Sequence, residues 1–156
     1  MIILLHNIRS LFNTGSIFRT ADGAGVEKIY LCGITPSPYD NKGNPRAKFV
    51  KVSLGAEQYV PWERAVSTSR MITKLKKQGF IILVAEVDKR AVPYVKVKLT
   101  KQQLKKTALV LGHEVMGLPK SILKKADKIV MVPMRGKKEC LNVSVAFGVL
   151  TYGLLK

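Results

Sequence analysis

Residues 108–133 read ALVLGHEVMGLPKSILKKADKIVMVP, and this stretch decides the fold class. It opens with an apolar run over Ala108 to Leu111, which is typical of a buried strand. A loop with two glycines follows, then a short helical pattern over Pro119 to Lys124, and then a second apolar strand over Lys128 to Val132. Alternation of buried strands with helices predicts parallel strands, because a helix carries the chain back to the start of the next strand.

The same alternation extends outward over the rest of the chain. Strands are predicted over Ile2 to Leu5, Lys28 to Cys32 and Phe80 to Ala85, and helices over Thr14 to Gly25, Trp62 to Gln78, Lys101 to Lys106 and Leu141 to Leu155. The pattern predicts an α/β fold with a mostly parallel sheet and helices on both faces. Ligands bind such sheets outside the carboxyl ends of the strands, so we look for chemistry in the loops after Leu5, Ala85, Leu111 and Val132.

Length and composition restrict the class of protein. A chain of 156 residues is the size of one domain, and we expect a single domain over 1–156. No apolar run approaches the roughly 18 residues that a membrane span needs, so we expect no membrane partner. Cys32 and Cys140 lie far apart without zinc-ligand spacing, and there are only two histidines, which argues for reduced thiols in the cytoplasm and against a metal site.

The charge of the chain indicates its partner. There are 27 Lys and Arg residues against 10 Asp and Glu, which gives a formal net charge of +17. Such a chain attracts polyanions, either nucleic acid or an anionic membrane. Because no lysine-rich segment carries the aromatic face of an interfacial helix, nucleic acid is favoured. A basic, solvated surface without a specific partner is the alternative.

The irregular stretch Pro36 to Lys48 is predicted to be a loop, and Arg46 and Lys48 at its end suggest a mobile arm that closes on RNA.

The first polar constellation follows the first strand, over Asn7 to Gly25. Asn13 is suited to cap a helix that begins at Thr14. At 100° per residue Arg19 points away from the apolar side of that helix, which directs it to the loop region. An arginine beside a helix N-terminus can clamp a phosphate, although a plain surface arginine is an equally good interpretation.

The second constellation is the loop Gly112 to Pro119. Its glycines fit neither a Walker nor a Rossmann spacing, but they would let a ligand approach the backbone closely. Glu114 could orient Asn13 or an arginine, or it could be a solvated carboxylate. His113 is expected to be a loop residue and not a catalyst.

The third constellation runs from Ile129 to Ala146, where a strand ends at a proline and a basic loop leads into an apolar helix. The helix is apolar on almost all sides, so it must be buried in the core or against another subunit. Met134 and Leu141 could be core residues, or they could line an adenine pocket, which is mostly apolar.

In this order and spacing, the three constellations resemble the SpoU/TrmH family of the SPOUT RNA methyltransferases. The family motifs read approximately N-x(5)-R, G-x-E-x-x-G-hydrophobic, and I-P-M ending in S-L-N-x-S-x-A. Here they correspond to Asn13 with Arg19, to residues 112–118, and to residues 132–134 with 140–146. The short sequences Leu54-Gly55-Ala56-Glu57 and Val60-Pro61-Trp62 add to the resemblance, which covers essentially the whole chain.

The resemblance implies a domain whose C-terminal segment forms a trefoil knot, a rare exception to unknotted topology. It implies that the knot binds S-adenosylmethionine through Gly112, Val132 and Leu141, with Met134 and Ala85 as apolar walls. It also implies a homodimer packed through the C-terminal helix.

By the same resemblance, Asn13 and Arg19 approach the target ribose, Glu114 supports them, and Asn142 lies between cofactor and RNA. Arg19 is then either the base for the 2′-hydroxyl proton or an electrostatic stabiliser. The sequence departs from the family at Cys140, where a serine is expected, and a thiol is the weaker hydrogen-bonding group. We expect Cys140 to slow the reaction unless Ser144 replaces the serine.

Since the first strand begins at Ile2, we expect no separate N-terminal RNA-binding domain, so RNA must bind to the basic surface of the domain itself. The candidate RNA-binding residues are Arg9, Arg46, Arg135, Lys137 and Lys138, with Lys74, Lys76 and Lys77 as further members. The predicted function is methylation of a ribose 2′-hydroxyl in structured tRNA or rRNA. The alternatives are a non-catalytic RNA-binding or ribosome-assembly protein that keeps the fold, and a free-nucleotide-binding domain, which the missing phosphate-loop pattern makes the weaker of the two.

Overall fold

Seven parallel strands form one sheet in the computed structural model, which describes residues 1–155. Their order across the sheet is β3-β2-β1-β6-β4-β7-β5. The strands are β1 (Ile2–His6), β2 (Lys28–Cys32), β3 (Trp62–Ala65), β4 (Ile81–Ala85), β5 (Val92–Pro93), β6 (Thr107–Leu111) and β7 (Lys128–Met131). The α/β class and the parallel sheet predicted from the sequence are confirmed, and all five predicted strands are present within one residue at each end.

Helices cover both faces of the sheet. They are α1 (Leu11–Gly23), α2 (Ala47–Ser53), α3 (Thr68–Lys77), α4 (Lys101–Lys105), α5 (Lys120–Leu123) and α6 (Val143–Leu154). Side chains alternate along each strand. In β1, Ile3 and Leu5 therefore join the apolar cluster under α1, α2 and α6, whereas Ile2 and Leu4 join the cluster under α3 and α5.

Two helix predictions need correction. The predicted helix Trp62 to Gln78 is instead a strand followed by a helix: β3 pairs in parallel with β2, and Ser67 then begins α3 by accepting a hydrogen bond from the backbone of Arg70. Helix α1 begins earlier than predicted because Ser10 caps it, and not Asn13. The Ser10 hydroxyl accepts the Asn13 N–H at 3.2 Å, which leaves the Asn13 side chain available for other contacts. The short helix α2 and strand β5 had no counterpart in the sequence-based prediction.

The predicted loop after Pro36 is held by its own hydrogen bonds. Asp40 Oδ1 accepts the backbone N–H groups of Lys42 and Asn44, and these bonds hold the pKa of that carboxyl below its usual range. Arg46 Nε donates to the Tyr39 carbonyl at 3.3 Å, and the Tyr39 ring stacks on Trp62. The Nε–H group of Arg46 therefore helps to stabilise this loop.

The C-terminal helix α6 packs against α1. Gly148 faces Thr20, and Gly153 lies so close to the Tyr94 ring that any side chain there would collide with it. Val145 and Tyr152 on the same helix remain 52% and 55% exposed. Within residues 1–155, no helix combines the length and the apolar character needed to cross a membrane.

Candidate active site

A cavity of about 810 Å³ opens at the carboxyl edge of the sheet, where β4, β6 and β7 end. Its walls come from the segments 85–90, 111–118, 130–132 and 139–143, together with parts of α5 and α6. Four of the predicted cofactor residues line it: Ala85, Gly112, Val132 and Leu141. Met134, the fifth, is not among the lining residues. The cavity thus lies at the edge of the sheet where the sequence predicted a site.

Gly112 begins the tightest part of the wall. A Cβ atom at this position would lie 2.6 Å from Leu118 Cγ and 2.9 Å from the Gly117 carbonyl carbon. Gly117 has a φ of +62°, a region that glycine occupies without strain. The loop therefore folds back on itself so closely that residue 112 has no room for a side chain, while residue 117 has a backbone conformation that favours glycine.

Glu86 fastens this loop to the end of β4. Its Oε2 accepts the Leu118 N–H at 2.8 Å, and its Oε1 accepts the N–H of Val87 at 3.0 Å. No sequence motif indicates Glu86, although this residue directly follows a predicted strand at the edge where ligands bind. His113 also acts within the loop, since its Nδ1 accepts the N–H groups of Val115 and Met116. The prediction that His113 is a loop residue is consistent with these bonds.

Glu114 lies at the mouth of the cavity and connects two distant segments. Its carboxylate accepts the backbone N–H groups of Arg9 and Ser10 and the side-chain amide of Asn13, the last at 3.0 Å. Partial burial alone would raise the pKa of this carboxyl, but the hydrogen bonds from Asn13 and the two backbone groups outweigh it and leave the pKa lowered. Glu114 is therefore held as a carboxylate.

Asn13 extends the connection to the start of α6. Its Oδ1 accepts a hydrogen bond from Asn142 Nδ2 at 3.2 Å. The Asn142 Oδ1 in turn accepts both the backbone N–H and the hydroxyl of Ser144. Glu114, Asn13 and Asn142 thus form one network, which we call the polar relay, and it joins the two ends of the chain at the cavity mouth.

Arg19 is not part of the polar relay of its own chain. It is exposed, and no hydrogen bond or ion pair joins its side chain to another residue within 1–155. Six residues after Asn13, it lies about 9 Å further along α1 and is rotated by about 120° around the helix axis. It is one turn from Gly23, which packs near the Tyr152 hydroxyl, so Arg19 lies beside the exposed side of α6.

Four of the predicted RNA-binding residues, Arg9, Arg135, Lys137 and Lys138, lie in segments next to residues that line the cavity. Arg9 is exposed and contributes its backbone N–H to Glu114. Arg135, Lys137 and Lys138 are exposed in the loop that precedes the lining residues Glu139 and Cys140. No group of three or more metal-ligating side chains occurs in the described part of the chain.

Comparison with known proteins gives consistent matches over nearly the whole chain. Residues 1–152 match the family described as the SpoU rRNA Methylase family. The chain is 30% identical over 97% of its length to a tRNA (guanosine(18)-2'-O)-methyltransferase of Aquifex aeolicus. It is 33% identical over 98% of its length to a protein of Archaeoglobus fulgidus that is named as an uncharacterized tRNA/rRNA methyltransferase. The chain spans 67% and 63% of the lengths of these two relatives.

A solved structure supports the fold assignment. The chain superposes on an AdoMet-bound rRNA methyltransferase from Sinorhizobium meliloti with a TM-score of 0.85 and 26% sequence identity. The superposition covers 97% of this chain and 54% of that one.

Proposed function

Because this chain belongs to the SpoU rRNA Methylase family, we propose that it transfers a methyl group from S-adenosylmethionine to a ribose 2′-hydroxyl of a structured tRNA or rRNA. The observation that carries the proposal is the polar relay at the mouth of the cavity. Glu114, Asn13 and Asn142 come from three separate motifs, yet they are joined by hydrogen bonds of 3.0 and 3.2 Å. Three motifs that meet at one cavity support a single site of chemistry.

The cavity fits the proposed cofactor. Its volume of about 810 Å³ lies within the range of roughly 300–1,000 Å³ typical of small-molecule sites. The tight turn at Gly112 exposes backbone groups to the cavity, while Ala85, Val132 and Leu141 supply apolar surface. These four residues are the proposed cofactor contacts, and Met134 is left out because it does not line the cavity. When bound, S-adenosylmethionine supplies an electrophilic methyl group.

The residues of the chain align the acceptor and ease the loss of its proton. Asn13 and Asn142 hold the ribose, and Glu114 fixes the amide of Asn13 so that its orientation is constant. A guanidinium keeps its positive charge at neutral pH. Arg19 is therefore proposed to stabilise the negative charge that develops on the 2′-oxygen, while the proton of the hydroxyl passes to solvent water.

We also propose a homodimer that packs through α6. The exposed apolar residues Val145 and Tyr152 support this interface. Arg19 lies beside that surface and away from the polar relay of its own chain, so dimerisation would bring Arg19 to the interface. Sedimentation measurements on the wild type and on Val145→Asp test this: the wild type is expected to be dimeric and the variant monomeric.

A trefoil knot is the proposed path of the chain around the cavity. Strands β6 and β7, which come late in the chain, flank β4 on either side. The loop after β4 and the segment 139–143 then line one cavity. This arrangement supports a C-terminal segment that passes through the preceding loop.

The experiment uses purified protein, labelled S-adenosylmethionine, and total RNA from cells of the source organism that lack the gene. Nuclease digestion followed by mass spectrometry is expected to detect 2′-O-methylnucleosides with the wild type. Arg19→Ala should abolish them, whereas Lys51→Ala, an exposed cation of α2, should leave them unchanged. RNA binding without any methyl transfer would favour the non-catalytic alternative and contradict the proposal.

A further inference from the structure

Two rows of cations stand on the outer side of α3 and α5. Arg70, Lys74 and Lys77 follow one another at helical spacing on α3, opposite its buried residues Ile72 and Leu75. Lys120 at the start of α5 and Lys124 just after its end continue into Lys128 at the start of β7. We call the six cations Arg70, Lys74, Lys77, Lys120, Lys124 and Lys128 the basic face, and all six are exposed.

The spacing of the two rows is fixed by lysines between them. Lys76 Nζ donates to the Lys125 carbonyl at 2.9 Å and pairs with Asp127 at 2.9 Å. Lys125 Nζ donates to the Ser69 carbonyl and to the Thr73 hydroxyl. These contacts tie α3 to α5, so the outer cations need no rearrangement to act together.

Few carboxylates neutralise the basic face. Asp127 is already paired with Lys76. Glu63 lies close enough to Lys74 to have its pKa lowered, but its main partner is Lys28, which forms a hydrogen-bonded ion pair with it. On the other side of the sheet, α6 has no charged residue within Val143–Leu154, whereas α2 and α4 each carry two lysines. None of the six cations of the basic face forms an ion pair with a carboxylate of residues 1–155.

We propose that the basic face binds the phosphate backbone of a double-stranded stem of the substrate RNA. This inference rests on the proposed function for the identity of the RNA. It is continuous with the proposed site, because Lys120 and Lys124 also line the cavity. A stem lying along α3 and α5 would hold its attached nucleotides near the cavity mouth.

A duplex fits this face better than a single strand or a membrane. Proteins that bind single strands stack the bases on exposed aromatic side chains, whereas duplex RNA is held through its backbone. Interfacial membrane binding likewise needs exposed apolar or aromatic groups between the cations. The exposed aromatic side chains of the described chain, Phe12, Tyr59 and Tyr152, all lie outside α3 and α5.

The test compares two triple variants of the full chain. One replaces Arg70, Lys74 and Lys77 by Gln. The matched control replaces Lys96, Lys98 and Lys101 by Gln, which removes the same charge near segments that pack on the other sheet face. Binding of a 20-base-pair RNA duplex, of one of its single strands, and of vesicles with anionic lipid is measured over a range of salt concentrations.

We expect the α3 triple variant to bind the duplex at least tenfold more weakly near 0.1 M salt. The slope of log Kd against log salt should fall by about 2 to 3, since each phosphate contact contributes roughly 0.7–0.9. The control should change neither quantity. With cognate RNA, KM should rise while kcat and the affinity for S-adenosylmethionine stay the same.

Equal losses in both triple variants would overturn the proposal, because binding would then follow net charge alone. So would a loss confined to the single strand or to the vesicles. The result is separable from the proposed function. If the wild type methylates no RNA, yet the α3 triple variant alone binds the duplex more weakly than the wild type, the proposed reaction is contradicted and the proposed role of the basic face is supported.

Discussion

The two loops that wall the cavity differ in how they are held. The loop after β6, residues 112–119, is fixed by the carboxylate of Glu86, by the imidazole of His113 and by Glu114. The loop after β7 has no comparable support: within 133–141, no side chain forms a hydrogen bond or an ion pair with another described residue. One wall, which we call the preformed wall, is thus held by side-chain hydrogen bonds; the other, which we call the adjustable loop, lacks them, and we expect it to adjust to what binds. Ordering a loop on binding costs free energy, so the two walls should respond differently to substitution.

The largest effect is expected from Gly112→Ala, which adds one methyl group to the preformed wall; the same change is made in the other loop as a control. Gly112→Ala sets a Cβ atom 2.6 Å from Leu118 Cγ and 2.9 Å from backbone, so the preformed wall must open. We expect affinity for S-adenosylmethionine to fall by about 100-fold, near the upper end of what an overpacking cost of roughly 1–3 kcal/mol gives, because the displaced backbone groups are also lost as contacts. Isothermal titration calorimetry measures it.

Gly136→Ala is the matched control in the adjustable loop. A Cβ atom there meets nothing within 4 Å, and its φ is not in the left-handed region. The affinity should stay within a factor of about 3, as for an ordinary surface substitution. Similar losses in both variants would show that the two walls do not differ as described.

The next prediction removes the support of the preformed wall. Glu86→Ala leaves the backbone N–H of Leu118 without its acceptor. An unsatisfied, partly buried donor costs about 1–3 kcal/mol, which corresponds to roughly 5- to 150-fold weaker cofactor binding if the loop opens. The melting temperature of Glu86→Ala should also fall. Glu139→Ala is the control: it removes a carboxylate that lines the cavity from the adjustable loop, and its melting temperature should be unchanged. An unchanged melting temperature for Glu86→Ala would contradict its supporting role.

Glu114 tests the preformed wall through pH. Its pKa is lowered in the folded protein from an ordinary value of 4.5, so the carboxylate stabilises the fold above the unfolded pKa. That contribution is lost as pH falls through the folded pKa. Glu114→Gln should therefore melt at a lower temperature than the wild type at pH 7, and the difference should shrink as pH falls below 4.5. Its kcat should be roughly tenfold lower, as for one lost charge-assisted hydrogen bond. A gap in melting temperature that stays constant with pH would exclude the carboxylate as the cause.

The sequence predicted the motif residues of the site better than it predicted their supports. Asn13, Glu114 and Asn142 were recognised because their spacing resembles a family pattern, and they do form one network. Glu86 was missed because its role depends on the distance between two loops, which neighbouring residues do not encode. For a similar reason, the sequence predicted a helix where Trp62–Ala65 forms a strand. Its pairing with β2 is a tertiary contact, and such contacts override local periodicity.

The smallest expected effect lies in the adjustable loop, at Cys140. The side chain is exposed and lines the cavity without a hydrogen-bond partner in the described chain, so Cys140→Ser should leave the melting temperature unchanged. A hydroxyl is a stronger hydrogen-bonding group than a thiol. If the loop closes on substrate, we expect kcat to rise by roughly two- to fivefold, equivalent to about 0.4–1 kcal/mol.

Cys140→Ala is the control and should show no gain in kcat. A rise with both variants would mean that the smaller side chain, and not the hydroxyl, is responsible. Equal kcat for the wild type and Cys140→Ser would mean that Ser144 already supplies the hydroxyl, a possibility that Ser144→Ala then tests.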